Sequence, residues 1–385
     1  MKQFVIFGSG YYGKLALKEI GAESIVCFID NDKQKQGSEI DGIPIIGLEE
    51  YISTNIHYPV LVASTYIREM VEQLEKKGIT DYDIYLPKRK EYKGTEVLID
   101  NPYTTYHREA SNEEEYNRIT RQNRNIDYIN QCVAMLNRRL PLFNHVEIET
   151  YNRCNGGCEF CPVSVKNELR PEIKMDEILF RKIIDDLARI EYDGKLALFS
   201  NNEPFLDERI IEFHKYAREC LPKTRMHLYT NGTLLTMDKF LQVIEYLDEL
   251  IIDNYNQNLE LIPTNKAIKE YCEKNRELIQ KVTIVLRKPK EILTSRGGDA
   301  PNRKKKISYS NDRCMLPFRQ IIIRPDGKVS LCCNDPLGKV TMGDLNSENI
   351  VDIWYGDKFQ EAREKIMSGR GNYPHCKFCD TFIIG

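Results

Sequence analysis

Residues 154–161 read CNGGCEFC, three cysteines spaced C-x3-C-x2-C directly after the strand-like run HVEIETYNR. A structural zinc ion wants four ligands, and Cys154, Cys158 and Cys161 have no nearby fourth Cys or His, so zinc fits poorly. An iron-sulfur cubane fits better. Held by three thiolates, it keeps one iron without a protein ligand, the kind of vacancy that catalytic metal sites leave for substrate. Gly156 and Gly157 let the loop wrap a cluster with its N–H groups facing the sulfides.

A second set lies near the C-terminus, in CMLPFRQIIIRPDGKVSLCCND and PHCKFCD. The turn PDGK, with Gly327, predicts a hairpin that brings Cys314 near Cys332, and the C-x2-C of Cys376 and Cys379 can close over them. Four thiolates could hold zinc, a rubredoxin-like iron or a closed 4Fe-4S cluster, and spacing does not choose among these. Cys333 is left over, either as a packed thiol, as a hydrogen-atom donor to a substrate radical or as an alternate ligand. Cys27, Cys132, Cys220 and Cys272 are scattered through strand-like or helical runs and read as core or surface thiols.

The elements that position these residues form an α/β chain. Residues 1–90 alternate strand and helix as a three-strand, Rossmann-like unit. Its first turn, GSGYYG, sets Gly8, Gly10 and Gly13 between strand and helix, with Asp30 ending the next strand. Glycines there let backbone approach a phosphate, the helix N-terminus offers N–H groups, and Asp30 could accept ribose hydroxyls. The other reading is that the glycines serve only the tight turn.

Residues 91–140 are expected to be a helical linker. The stretch SNEEEYNRITRQNRNIDYINQCVAMLNRRL reads as one helix, capped by Ser111 or Asn112, with Glu113 to Glu115 in its first turn and an apolar stripe of Ile126, Ile129, Val133 and Leu136. From 141 to 305 five strand patterns alternate with four helical ones, predicting a parallel sheet curled into a partial (β/α) TIM-like barrel with its chemistry at the C-terminal strand ends. Residues 306–385 are expected to form a small C-terminal domain around the second cysteine set. Lys304 to Lys306 read as a solvated face.

The triplet, with aromatic Phe160 just before its last cysteine at the end of a first barrel strand, resembles the radical S-adenosylmethionine (SAM) superfamily. Where that family commonly has G-G-E-P after the second strand, this chain has Asn201, Asn202, Glu203 and Pro204. The resemblance implies that Asn202 and Glu203 face SAM, Glu203 as partner of the methionyl ammonium. The run YTNGTLLT resembles the family's T-N-G-x-x-L and sends Asn231 into the same mouth; Asp253 or Asn254, ending the fourth strand, could meet the ribose. Arg287, and Arg296 before Gly297 and Gly298, could hold a hydroxyl, carboxylate or phosphate of SAM or substrate. A structural ion pair is the alternative for both.

The spacing C-x12-G-x4-C before a late C-x2-C resembles the SPASM and shorter twitch extensions of that superfamily, which implies one auxiliary 4Fe-4S cluster on Cys314, Cys332, Cys376 and Cys379. The compressed path from VTIVLR to Cys314, with no clear sixth strand, resembles the shortened barrel of the superfamily's cyclitol-oxidising type. The first 90 residues resemble the small N-terminal domains of bacterial sugar acyltransferases, which can hold a nucleotide-sugar.

What the resemblance implies is an enzyme in which SAM chelates the open iron of a 4Fe-4S cluster and a low-potential electron releases a 5'-deoxyadenosyl radical. That radical would take hydrogen from a carbon of a sugar, nucleotide-sugar or cyclitol, oxidising it, with an epimerase as the variant that needs a donor such as Cys333. A flavodoxin or ferredoxin would supply electrons. The alternatives are a peptide-modifying maturase and a non-catalytic iron-sulfur scaffold or sensor.

Composition agrees with this class. The chain has 385 residues, 29% charged, and a formal net charge of -3, so no basic field points to nucleic acid. Twelve cysteines suit metal or redox chemistry in a reducing cytoplasm better than disulfides. No apolar run approaches membrane-spanning length and the first residues lack a leader pattern, so neither a membrane nor a secreted location is expected.

Overall fold

The structure is a computed structural model and describes residues 3–54, 58–87, 94–103, 126–303 and 307–381. The expected caps at Ser111 and Asn112, the acidic turn Glu113 to Glu115 and the Lys304 to Lys306 face lie outside the described residues. Contacts divide the chain into two compact units. The described parts of Met1–Lys90 and Asn123–Leu140 form one, and those of Glu91–Gln122 and Pro141–Thr381 the other.

The first unit is a six-stranded sheet in the order β3-β4-β2-β1-β5-β6. Its strands are β1 (Phe4–Phe7), β2 (Ile25–Ile29), β3 (Glu39–Ile40), β4 (Ile43–Ile46), β5 (Val60–Val62) and β6 (Tyr82–Ile84). All pairings are parallel except β3 with β4. The runs FVIF and IVCFI are almost wholly buried, as strands of a two-sided parallel sheet must be. Three strands are legible in the sequence pattern; β3, β4 and β6 are short, and EI, IPII and YDI carry too little periodicity to announce themselves.

Helix Ile67–Lys76 buries Ile67, Met70, Val71 and Leu74, a stripe at helical spacing. Helix Ile126–Leu136, expected within the linker, belongs to this unit, where Tyr128 stacks on Tyr12 at 4.4 Å between ring centroids.

The second unit holds a nine-stranded sheet in the order β15-β14-β13-β8-β9-β10-β11-β12-β7. In chain order these are β7 (Leu98–Asp100), β8 (His145–Ile148), β9 (Lys195–Ala197), β10 (Arg225–Thr230), β11 (Glu249–Tyr255), β12 (Val282–Arg287), β13 (Gln320–Ile323), β14 (Lys328–Ser330) and β15 (Thr341–Asp344). From β13 to β7 every pairing is parallel. The five expected barrel strands are β8 to β12. Four more extend the sheet: β7 joins β12 from the stretch read as linker, and β13, followed by β14 and β15, joins β8.

Helices between the strands cover the sheet through amphipathic stripes. Glu177–Arg189 buries Leu179, Phe180, Ile183, Ile184 and Leu187, and Asp176 caps it by accepting from the Ile178 N–H. The expected hairpin joins β13 to β14 and turns at Gly327, whose φ of 81° is left-handed. Among the described residues no helix is long and apolar enough to cross a membrane.

In the first unit, a Cβ added at Gly13 would sit 1.8 Å from the Gly8 carbonyl oxygen, so helix and strand approach as closely as glycine alone allows. Gly13→Ala is expected to destabilise this unit by about 1–3 kcal/mol, the usual cost of overpacking. Trp354, the single tryptophan, is buried in the second unit. A circular-dichroism melt should therefore show an earlier transition while the Trp354 fluorescence transition stays put.

Candidate active site

The C-terminal ends of the parallel strands open on a cavity of about 260 Å³. Its wall carries Cys154, Cys158, Phe160 and Cys161 from the loop after β8, Ser200 to Glu203 after β9, and Thr230 and Asn231 at the end of β10. Asp253 and Tyr255 of β11, with Thr294 and Arg296 beyond β12, complete it. The sequence-predicted Asn202, Glu203, Asn231, Asp253 and Arg296 are thus brought to one rim with the three cysteines.

Glu203 stitches that rim. Only 1% exposed, its carboxylate accepts from the Thr230 hydroxyl at 2.7 Å, the Asn231 N–H at 2.8 Å and the Phe205 N–H at 3.2 Å. Burial raises its pKa, and these bonds only partly offset the rise. Asn231 in turn donates to Asn155 in the cysteine loop at 2.8 Å. Arg296 adopts a left-handed φ of 51°, strained for a residue with a Cβ, and donates to Asn201 Oδ1 at 2.6 Å. Asn201 donates onward to the Ser200 hydroxyl at 3.2 Å and the Cys333 carbonyl at 3.4 Å.

The first three thiols fit an iron-sulfur cluster by two observations. A Cβ on Gly156 would come within 3.3 Å of Cys154 Sγ and 3.8 Å of Cys158 Sγ, so the glycine brings the loop backbone close against the sulfurs. Burial pushes the Cys154 and Cys158 thiols up to about 12, with Glu203 and Cys161 adding to it at Cys154 and Cys161 and Cys154 at Cys158, so a cationic metal centre is what would favour thiolates here. Nearby, Asn202 Nδ2 is buried without a hydrogen-bond partner, and Asp253 Oδ1 has only the Arg287 guanidinium, 3.5 Å away. Buried polar atoms are rarely left so, and on a cavity wall they suit a polar cofactor such as SAM.

The second set gathers likewise. Cys314, Cys332, Cys376 and Cys379 are all buried, and each of Cys314, Cys332 and Cys376 is pushed up by burial first and by neighbouring thiols of the set. Fully buried Arg370 supports them, donating to the carbonyls of Arg313 at 3.1 Å, Cys379 at 2.6 Å and Thr381 at 2.6 Å. It thereby ties two ligand-bearing stretches, that of Cys314 and that of Cys376 and Cys379, and supplies positive charge that lowers the cost of a Cys314 thiolate. Among the described residues no three His, Cys, Asp or Glu side chains converge on a single metal ion.

Other expected residues stand off the wall. Arg287 faces Asp253 at 3.5 Å and Glu291 at 3.6 Å, the structural ion-pair reading, because a buried guanidinium needs carboxylates around it. Asn254 is fully buried, accepting from Ile262 N–H and Asn265 and donating to the Glu260 carbonyl. Cys333 follows β14 but does not line the cavity; burial, then Glu147, pushes its thiol up to about 12.

Sequence reasoning missed Ser200 and, beneath it, Glu147, although a signal was there. In HVEIET a glutamate alternates into a buried parallel strand, where an ionisable residue needs a reason.

In the first unit, Gly8, Gly10 and Asp30 line a cavity of about 520 Å³ with Tyr11, Tyr12, Ser64 and Tyr66. It lies where β1 parts β2 from β5, the topological switch point of the sheet. A Cβ on Gly10 would meet open space, and Gly13 is a packing glycine off the wall. Asp30 accepts from the Ser9 N–H at 2.9 Å, from the Ser9 hydroxyl and from the Asp32 N–H at 2.9 Å. Burial opposes its ionisation, but these bonds and Lys35 outweigh it and hold the carboxyl below its ordinary value. Much of the acceptor capacity expected for a ribose is therefore already engaged within the protein.

Comparison with known proteins accords with this geometry. Residues 148–291 match the radical SAM superfamily, 314–380 the SPASM iron-sulfur cluster-binding domain and 1–85 the C2185-like N-terminal family. A curated relative, the S-adenosyl-L-methionine-dependent 2-deoxy-scyllo-inosamine dehydrogenase of Niallia circulans, is 30% identical over 244 residues, covering 63% of this chain and 95% of its own. The crystal structure of BtrN in complex with AdoMet and 2-DOIA superposes with a TM-score of 0.53 at 26% identity, over 63% of this chain and 95% of that one. The chain belongs to the radical SAM superfamily, an enzyme of SAM and iron-sulfur clusters with a SPASM region after its barrel.

Proposed function

We propose that this enzyme oxidises a carbon bearing a hydroxyl or amine on a cyclitol, sugar or nucleotide-sugar, in glycan or antibiotic assembly. The observation that carries the reading is that Asn201, on the cavity wall that also carries the first three cysteines, donates to the carbonyl of Cys333, the neighbour of Cys332 in the second set. The relative named as a 2-deoxy-scyllo-inosamine dehydrogenase supports it.

When bound, SAM and the cluster on Cys154, Cys158 and Cys161 supply a 5'-deoxyadenosyl radical, and a cluster on Cys314, Cys332, Cys376 and Cys379 offers an electron acceptor. The chain's own residues orient and shield. Glu203 locks the loops after β9 and β10 together, presenting Asn202 and Asn231 toward SAM. Asp253 offers an acceptor for ribose hydroxyls, and Phe160 with Tyr255, 6.0 Å between ring centroids, keeps that side of the cavity apolar. Arg296, held by Asn201, is placed to fix a substrate hydroxyl, carboxylate or phosphate. Because Cys333 is off the cavity wall, oxidation is favoured over an epimerisation that needs a thiol donor.

All twelve cysteines are free, which suits a cytoplasmic setting in which a flavodoxin or ferredoxin delivers electrons. The cavity of the first unit, with open Gly10 beside Gly8 and Asp30, suits a nucleotide or nucleotide-sugar.

Reconstituted anaerobically and given dithionite, SAM and 2-deoxy-scyllo-inosamine as probe, the enzyme should form 5'-deoxyadenosine and ketone in about equal amounts, read by mass spectrometry. Cys154→Ala should abolish both products. Arg370→Met should lower the iron retained after gel filtration toward about half, as the second cluster is lost first. Unchanged iron would remove Arg370 from cluster support.

A further inference from the structure

Beneath the cavity wall lies an acid that the reading so far leaves unused. Glu147, on β8, is 7% exposed, and its Oε2 accepts from the Ser200 hydroxyl at 2.7 Å. Ser200 lines the cavity while Glu147 does not. The hydroxyl has one proton and two lone pairs. Its proton is committed to Glu147, and Asn201 Nδ2 donates to one lone pair at 3.2 Å. The remaining lone pair is available to a donor entering the cavity, and a substrate hydroxyl is such a donor.

We propose that Ser200 and Glu147 form a proton relay that removes the hydroxyl proton of the substrate during oxidation. This rests on the oxidation reading above. Once hydrogen has left the carbinol carbon, the ketone forms only if the O–H bond breaks and one electron departs. The substrate proton passes to Ser200 Oγ as the serine proton passes to Glu147, and the electron goes to the iron-sulfur group of the second cysteine set. Losing the proton makes the substrate radical the stronger reductant, so the relay eases electron departure.

The surroundings of Glu147 suit an acceptor that works near neutrality. Burial raises its pKa to about 7, with the Ser200 bond and the Arg296 charge pulling the other way. The titratable and charged groups facing it are Arg296 from beyond β12, Cys333 after β14, and His145 two residues back on β8, with Nε2 3.8 Å from Glu147 Oε1. Burial, followed by Lys195 and Arg319, pushes His145 down to about 4, so it stays neutral and does not hold Glu147 ionised. Protonated Glu147 cannot accept, so oxidation should weaken as pH falls below about 7.

Two readouts test the relay. Infrared difference titration of the full reconstituted chain, wild type against Glu147→Gln, should reveal a protonated-carboxyl band with a midpoint near pH 7. A carboxyl that stays protonated throughout pH 5–9 would overturn the relay. With SAM, dithionite and 2-deoxy-scyllo-inosamine, Glu147→Gln should cut ketone formed per 5'-deoxyadenosine by about 10²-fold, the low end of general-base effects, and flatten its pH profile. An unchanged ratio and profile would also overturn it. If wild type makes no ketone from the probe, the oxidation reading of this substrate fails, and the carboxyl band alone decides for or against Glu147 as a neutral-pH acceptor.

Discussion

The parallel pairing of β13 with β8 is the constraint on which the active site depends. Gln320 aligns with His145 and Ile323 with Ile148, so the strand that leads into the first cysteine loop lies beside the hairpin strand leading toward Cys332. A slip of one residue would turn every side chain of β13 to the opposite face. Ile321, Ile322 and Ile323 are almost fully buried, and the register fixes where the two sets of thiols stand relative to each other.

Buried charge does the rest of the positioning. Carboxylates are rare inside proteins unless partnered, yet Glu147, Glu149, Glu203 and Asp253 all stand near the C-terminal ends of the strands, and burial raises the pKa of each. Their partners differ and so do their parts. Glu149 is gripped by Arg170, which also donates to the Asn152 and Asn201 carbonyls and so braces the rim. Glu203 joins two loops through backbone and hydroxyl donors, and Asp253 faces Arg287. Glu147 lies behind the cavity wall and answers to the Ser200 hydroxyl on it. Perturbed acids cluster where chemistry happens.

The cysteine spacings, the Glu203-Pro204 pair and the five strands β8 to β12 were legible in the sequence because each is local: a motif, or a run with its own periodicity. What was hidden is non-local or too short to repeat. β7 has three residues inside a charged stretch and becomes a strand only because β12 leaves it an edge. Arg287 ends a strand just as a ligand-binding arginine would, and only the fold shows Asp253 and Glu291 already around it. Ser200 precedes the motif that drew the eye, and its meaning comes from Glu147, 53 residues earlier.

The central claim is that the two cysteine sets serve one reaction in separable steps. It is tested most directly by Cys332→Ala, counting iron and following 5'-deoxyadenosine and ketone together under reducing, anaerobic conditions. The account predicts that iron falls from about eight to about four per chain, that SAM is still cleaved and that ketone is lost. Ketone formed at the wild-type ratio with only four irons would contradict it.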